Sequence, residues 1–193
     1  MENTNNYLFS YSSLLCKKSR EQNGSYDEVN PVNVCGVKRG WYHHILDDQN
    51  CALGLIRSEN DCCNGILLAT TESDLVKTDH RETIHVYERI QIPRTRIDLY
   101  KMPEHNEEMK IWSYVINAPS LPSQHLPIAQ SYLDVVMTGY LEHGEGFCIS
   151  FLKNTHGWNG FLVNDRAQPK YRRCLEGLDL EHMNFFLLKM YKR

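Results

Sequence analysis

The sequence predicts an α+β fold, in which a small, mainly antiparallel sheet or barrel carries flanking helices. Strand-like segments fill most of the chain before residue 117, and helix-like segments fill most of it afterwards. Residues 7–15 open the series as an apolar, aromatic strand that stops at two serines. Separate runs of strands and helices are typical of α+β proteins. The 193 residues are predicted to form a single domain, with residues 161–193 as a C-terminal extension packing on it.

The first two thirds of the chain contain several short segments with the composition of strands. Apolar runs, glycine kinks and turn residues separate these segments from one another. The predicted elements are strands at 34–41, 51–56, 66–69, 84–92 and 109–116, a turn at 60–65, a helix at 72–80 and a polar loop at 100–108.

Helical periodicity dominates the last third of the chain. Ala129, Tyr132 and Val136 recur at helical spacing after a proline-rich hinge, which predicts the clearest helix of the protein. A second helix is predicted at 145–155 and a final amphipathic segment at 180–191.

Composition and charge exclude several functional classes. A net charge of −3 provides no basic surface, so nucleic acid is not predicted as a partner. No apolar run approaches the roughly 20 residues that a membrane-spanning helix needs, so no membrane partner is predicted either. The polar N-terminus lacks the features of a signal peptide. A cytoplasmic location is therefore predicted, with export by a non-classical signal left open.

The cysteines and histidines do not form a recognisable metal motif. The seven cysteines lack C-x-x-C spacing, and the adjacency of Cys62 and Cys63 disfavours a disulfide between them. Reduced thiols are predicted. His43 and His44 precede two aspartates, but without the spacing of a known metal site. No metal and no other cofactor are predicted.

Two segments are candidates for chemistry. The loop after the first strand carries short side chains and can expose backbone N–H groups to a ligand. Glu82 lies where a predicted helix gives way to a strand, and a carboxylate at the edge of an apolar pocket can act as a general base. The alternative is a surface glutamate paired with Arg81 or Arg89.

Together these segments resemble the γ-glutamylcyclotransferase-like family. Their order and spacing agree with that family's Y-G-S-L loop, R-E…Y-x-R segment, P-S-x-x-Y helix start and the tail of a bacterial branch. The resemblance covers roughly residues 7–173. The matching segments are Tyr11-Ser12-Ser13-Leu14, Arg81-Glu82 with Tyr87 and Arg89, Pro127 to Tyr132, and residues 163–171.

The resemblance implies a six-stranded, mostly antiparallel, barrel-like fold with flanking helices. It also implies that the α-amine of a γ-glutamyl amide attacks the γ-carbonyl, giving 5-oxoproline and releasing an amine or amino acid. Such a reaction needs no cofactor, since nucleophile and electrophile are tethered in one small-molecule substrate. Glu82 is the implied general acid and base. The implied substrate-binding residues are Tyr11, Ser12, Ser13, Leu14, Tyr87 and Tyr132.

One position departs from the family pattern and leaves alternatives open. Ser12 stands where the family usually has glycine. If that position requires a positive φ, serine costs about 1–2 kcal/mol there, and its Cβ can press on a bound substrate. The alternative function is therefore a catalytically impaired member that acts as a binding protein. Glutathione-specific cleavage, as in the ChaC-like relatives, is a third and less favoured reading. The sequence indicates no oligomeric state.

Overall fold

A curled, mixed sheet that forms a half-barrel is the centre of the structure. The structure is a computed structural model that describes residues 5–23, 29–83, 87–99, 109–158 and 161–191. The strands are β1 (Asn6–Ser10), β2 (Val29–Ile45), β3 (Asn50–Thr70), β4 (Tyr87–Ile92), β5 (Ile97–Leu99), β6 (Lys110–Ile116), β7 (Ile128–Ala129), β8 (Thr155–His156) and β9 (Leu162–Val163). The helices are α1 (Lys17–Asn23), α2 (Glu72–Thr83), α3 (Gln130–Leu141), α4 (Glu145–Lys153) and α5 (Leu180–Tyr191).

Six strands form the main path of the sheet, in the order β4-β6-β1-β3-β2-β5. Along this path only β1 and β6 pair in parallel, and the other neighbours are antiparallel. The short strands β7, β8 and β9 join off this path. The predicted fold class is therefore confirmed: a mostly antiparallel, mixed sheet with flanking helices. Within the described ranges, no helix is long and apolar enough to cross a membrane.

Strand β3 corrects the turn that was predicted at residues 60–65. The segment is rich in Asn, Asp and Gly, yet it continues the strand and pairs with β2. Asn64 lies opposite Asn33, and its side chain is buried and donates to the Phe147 carbonyl at 2.8 Å. Cross-strand pairing over a long hairpin thus overrides the local turn preference of these residues.

The cysteine prediction is also wrong in part, because Cys35 and Cys62 form a disulfide. The two residues lie directly opposite each other on β2 and β3. Neighbouring residues of a strand point to opposite faces, so Cys62 meets Cys35 while Cys63 is buried in the core. The partner of Cys62 depends on strand register, which the spacing of cysteines does not reveal. The five other cysteines are free and buried.

The helical predictions agree closely with the structure. The final segment was predicted at 180–191 and is α5. Helix α2 continues three residues beyond the predicted end at residue 80, so Glu82 belongs to its last turn.

Two predictions fall on residues that lie outside the described ranges. They are the start of the strand predicted at 84–92, at residues 84–86, and the loop predicted at 100–108.

Helix α3 lies at the centre of the fold, with ten of its twelve residues buried. Its residue Tyr140 contacts Arg39 of β2, which is fully buried. The Arg39 guanidinium donates to the Tyr140 hydroxyl at 2.5 Å and to Thr155 Oγ1 at 2.9 Å. The Tyr140 hydroxyl in turn lies 3.0 Å from the Tyr11 carbonyl oxygen. Because every buried polar group needs a partner, this chain of contacts fixes the end of β1 against α3.

Candidate active site

A cavity of about 1090 Å³ opens between the sheet, the end of α2 and the start of α3. Its volume is slightly above the usual upper limit of small-molecule sites, about 1,000 Å³. All of the site residues predicted from the sequence line this one cavity: Tyr11, Ser12, Ser13, Leu14, Glu82, Tyr87 and Tyr132.

Glu82 reaches the cavity from the last turn of α2. Its side chain is 20% exposed, so it is partly withdrawn from bulk solvent. Arg81 Nε and a terminal guanidinium nitrogen lie 2.9 and 2.8 Å from Glu82 Oε1. The pairing with Arg81 that was weighed as an alternative is therefore present, and both side chains line the cavity.

A short 3-10 turn at Ser13–Leu15 forms the wall after β1. Its hydrogen bonds run from Leu15 N to the Ser12 carbonyl and from Cys16 N to the Ser13 carbonyl, at 3.0 and 3.1 Å. Ser13 and Leu14 come before the first residue whose N–H is bonded within the turn. The turn itself therefore provides no acceptor for their N–H groups. Ser12 has φ −128°, outside the left-handed region. A glycine is therefore not required at Ser12 by its backbone conformation.

Three tyrosine side chains lie around the same cavity: Tyr11 and Tyr132 are buried, and Tyr87 is partly buried. The Tyr87 hydroxyl donates to the Leu53 carbonyl at 3.3 Å. Burial raises the pKa of the Tyr11, Tyr87 and Tyr132 hydroxyls above their usual value. All three are thus neutral at physiological pH and able to donate hydrogen bonds.

A second row of contacts fixes the helix that carries Glu82. The Tyr114 hydroxyl donates to Asp79 Oδ1 at 2.8 Å, and Asp79 Oδ2 lies 3.3 Å from Arg89. The Arg89 guanidinium also lies over the Trp112 ring, 4.7 Å from its centroid. Asp79 is three residues before Glu82 on α2, so these contacts connect the last turn of the helix to β4 and β6.

The segment after β9 forms a further wall of the cavity. The Asp165 carboxylate accepts hydrogen bonds from Ser131 N at 2.8 Å, Ser131 Oγ at 2.6 Å and Lys170 N at 2.8 Å. Lys170 Nζ donates to the Gln49 carbonyl at 2.8 Å, in the turn between β2 and β3. The segment is therefore attached both to the start of α3 and to the sheet. Its residues that line the cavity are Gln168, Pro169, Lys170, Tyr171, Arg172 and Arg173.

Replacing Asp165 by Asn is expected to loosen this wall. An amide has one acceptor oxygen, so it cannot serve both carboxylate oxygens, and a loss of about 1–3 kcal/mol in the free energy of unfolding is expected. Burial alone would raise the pKa of Asp165, but hydrogen bonds from Ser131 and Lys170 outweigh it and lower that pKa. The carboxylate therefore stabilises the fold above its unfolded pKa, and this stabilisation is lost as the pH falls through the lowered pKa.

Thermal unfolding of Asp165→Asn and of the unmodified protein between about pH 6 and pH 3 measures this effect. The difference in Tm between them should shrink as the solution becomes more acidic. A difference that stays constant over this range would contradict the assigned role of the Asp165 carboxylate.

Sequence reasoning did not identify every residue that lines the cavity. Tyr114, Thr78 and the cationic side chains of residues 170–173 were not predicted as site residues, although all of them line it. The resemblance of residues 163–171 to a family tail was the available signal for this last group. Among the described residues, no cluster of three or more His, Cys, Asp or Glu side chains is arranged to hold a metal ion.

Comparison with known proteins yields matches of fold but none of sequence. No protein-family profile and no curated protein match the chain. Among solved structures, it is similar to a γ-glutamyl cyclotransferase, with a TM-score of 0.56 and 13% identity over 82% of this chain and 94% of that one. The chain is also similar to an uncharacterised protein from Homo sapiens, with a TM-score of 0.56 and 14% identity over 82% of this chain and 94% of that one.

YkqA from Bacillus subtilis is a further solved structure with a similar fold. The TM-score is 0.52 and the identity 13%, over 71% of this chain and 48% of YkqA. At these identities the likeness is one of fold. The chain has a γ-glutamyl cyclotransferase-like fold, as the resemblance of its motifs implied.

Proposed function

We propose that this protein is a γ-glutamylcyclotransferase, which converts a γ-glutamyl amide into 5-oxoproline and releases an amine or amino acid. One observation carries the proposal. Glu82, the turn after β1, Tyr87 and Tyr132 all border a single cavity, in a fold that a γ-glutamyl cyclotransferase shares. A carboxylate, backbone donors and neutral hydroxyls are the groups that this reaction needs.

In the proposed mechanism, Glu82 takes a proton from the substrate's α-ammonium group. The freed amine attacks the γ-carbonyl carbon, and a five-membered ring closes. Negative charge develops on the carbonyl oxygen, where the N–H groups of Ser13 and Leu14 are available as donors. The bond to the leaving amine then breaks as Glu82 returns its proton to that nitrogen, which regenerates the carboxylate. The ring nitrogen passes its second proton to the released amine, so 5-oxoproline keeps one N–H and the amine leaves as an ammonium ion.

The conformation of Ser12 removes one reason to expect an impaired relative. One concern about serine was a positive φ, and Ser12 has φ −128°. The serine is therefore accommodated in this turn without a left-handed backbone.

The test is a screen of γ-glutamyl compounds with direct detection of 5-oxoproline. The panel contains γ-glutamyl amines, γ-glutamyl dipeptides and glutathione, each incubated with the purified protein. We expect release of 5-oxoproline from at least one of the first two groups. Release from glutathione alone would support the glutathione-specific reading, and no release from any compound would favour the binding protein.

A further inference from the structure

We propose that Arg81 is a specificity-determining residue that binds the α-carboxylate of the γ-glutamyl group, beside the α-ammonium that Glu82 receives. This inference rests on the proposed function and adds to it which end of the substrate Arg81 recognises. It also predicts that the cavity selects compounds whose α-carboxylate is free.

The position of Arg81 on α2 supports this role. Thr78, Arg81 and Glu82 are three and four residues apart, so they share one face of the helix, and all three line the cavity. The contacts of Asp79 with Tyr114 and Arg89 fix the same turn of α2 against the sheet. Arg81 is thus presented to the cavity by a supported element.

The charges of Arg81 and Glu82 match those of an α-amino acid. The guanidinium and the carboxylate are 2.8 Å apart at their closest, so a positive and a negative group lie side by side. In a γ-glutamyl group, an ammonium and a carboxylate are attached to one carbon atom. A substrate placed with its ammonium at Glu82 therefore brings its carboxylate next to Arg81, where a planar guanidinium can bind it with two hydrogen bonds.

Two other cations near the site, Lys170 and Arg89, are engaged in different contacts. Lys170 donates to the Gln49 carbonyl at 2.8 Å. Arg89 lies 3.3 Å from Asp79 and over the Trp112 ring. Arg81 is instead directly adjacent to Glu82, and its side chain is half exposed, so it can reorient towards a ligand.

If Arg81 binds the α-carboxylate, the other polar groups of the cavity are left for the other parts of the substrate. The backbone donors of Ser13 and Leu14 are then left for the γ-carbonyl oxygen, where charge develops during ring closure. Glu82 remains the proton acceptor. Each polar group of the γ-glutamyl part thus has a separate partner.

The experiment compares two substrates that differ only at the α-carbon: a γ-glutamyl compound from the panel and its α-carboxamide. We expect the unmodified protein to prefer the carboxylate by about 10- to 100-fold in kcat/KM, the range of a charge-assisted pair. Arg81→Gln should lose this preference, mainly through a higher KM for the carboxylate. Arg81→Lys should regain part of it.

Lys77→Gln is the matched control. Lys77 is on the same helix but pairs with Asp74 at 2.9 Å, outside the cavity. We expect Lys77→Gln to keep the full preference. If Arg81→Gln lowers kcat/KM equally for both substrates, or leaves the preference unchanged, the inference is overturned.

Calorimetric binding of the same two compounds separates this inference from the proposed function. If neither compound is turned over but the carboxylate still binds more tightly, and only when Arg81 is present, the inference stands and the enzyme assignment fails. If turnover occurs without any preference that depends on Arg81, the enzyme assignment stands and the inference fails.

Discussion

Glu82→Gln is expected to lower kcat for 5-oxoproline release by about 10²- to 10⁴-fold, the usual contribution of a general acid and base. The amide has nearly the same shape and keeps an oxygen that can accept the Arg81 hydrogen bonds, but it cannot take the ammonium proton. Because Glu82 is partly exposed at the end of α2, the fold should tolerate the change. Steady-state kinetics with the best substrate of the panel measure the loss.

The matched control for this substitution is Glu88→Gln. Glu88 lies on β4 and forms an ion pair with Arg57 at 2.8 Å, outside the cavity. We expect it to keep full activity. Circular dichroism and Tm should show that both variants are folded. A Glu82→Gln protein that retains more than about a tenth of the activity would exclude Glu82 as the general base.

Gly139→Ala is expected to damage both the fold and the site, because α3 touches the turn after β1 at this glycine. A Cβ at position 139 would lie 2.2 Å from Cys16 N and 2.4 Å from the Leu15 carbonyl carbon. Both are backbone atoms, so the turn has to move as a unit. We expect a loss of about 1–3 kcal/mol in the free energy of unfolding, as for other overpacked sites.

The same displacement should reduce activity. The N–H groups of Ser13 and Leu14 belong to the turn that moves, and a misplacement of about 1 Å can cost a factor of about 100 in rate. Denaturant unfolding measures the stability, and kcat/KM at a temperature where the variant is folded measures the effect on the site.

Gly146→Ala is the control for the glycine substitution. Gly146 lies in α4, and a Cβ there meets nothing within 4 Å. Alanine favours the helical state over glycine by about 1 kcal/mol, so unchanged or slightly higher stability is expected together with full activity. If Gly139→Ala leaves both Tm and kcat/KM unchanged, the close contact between α3 and the turn after β1 is contradicted.

Local patterns were sufficient to predict much of this fold and its candidate site. Helical spacing identified α3, and apolar alternation identified β1. Seven of the residues that line the cavity were predicted by resemblance, through short motifs whose order along the chain agrees with a known family. Their catalytic roles remain predictions.

Features that depend on pairing between distant segments were not predictable in the same way. The turn residues at 60–65 became part of β3 because β2 pairs with them. Cys62 found Cys35 through the register of the same hairpin. The segment after β9 reaches the cavity because Asp165 accepts a hydrogen bond from Ser131 at the start of α3. The composition of that segment does not reveal this contact.

The attachment of this segment also bears on how the cavity forms. The β2–β3 hairpin joins segments that are neighbours in the chain. Other contacts join segments that are farther apart, namely the hydrogen bonds Tyr140–Tyr11, Ser131–Asp165 and Lys170–Gln49. Contacts between remote segments carry a larger entropic cost, since a long loop has to close before they form. The cavity is therefore closed only when segments as far apart in the chain as Tyr11 and Tyr140 have met, so the capacity to hold a small molecule depends on contacts that the hairpin alone does not supply.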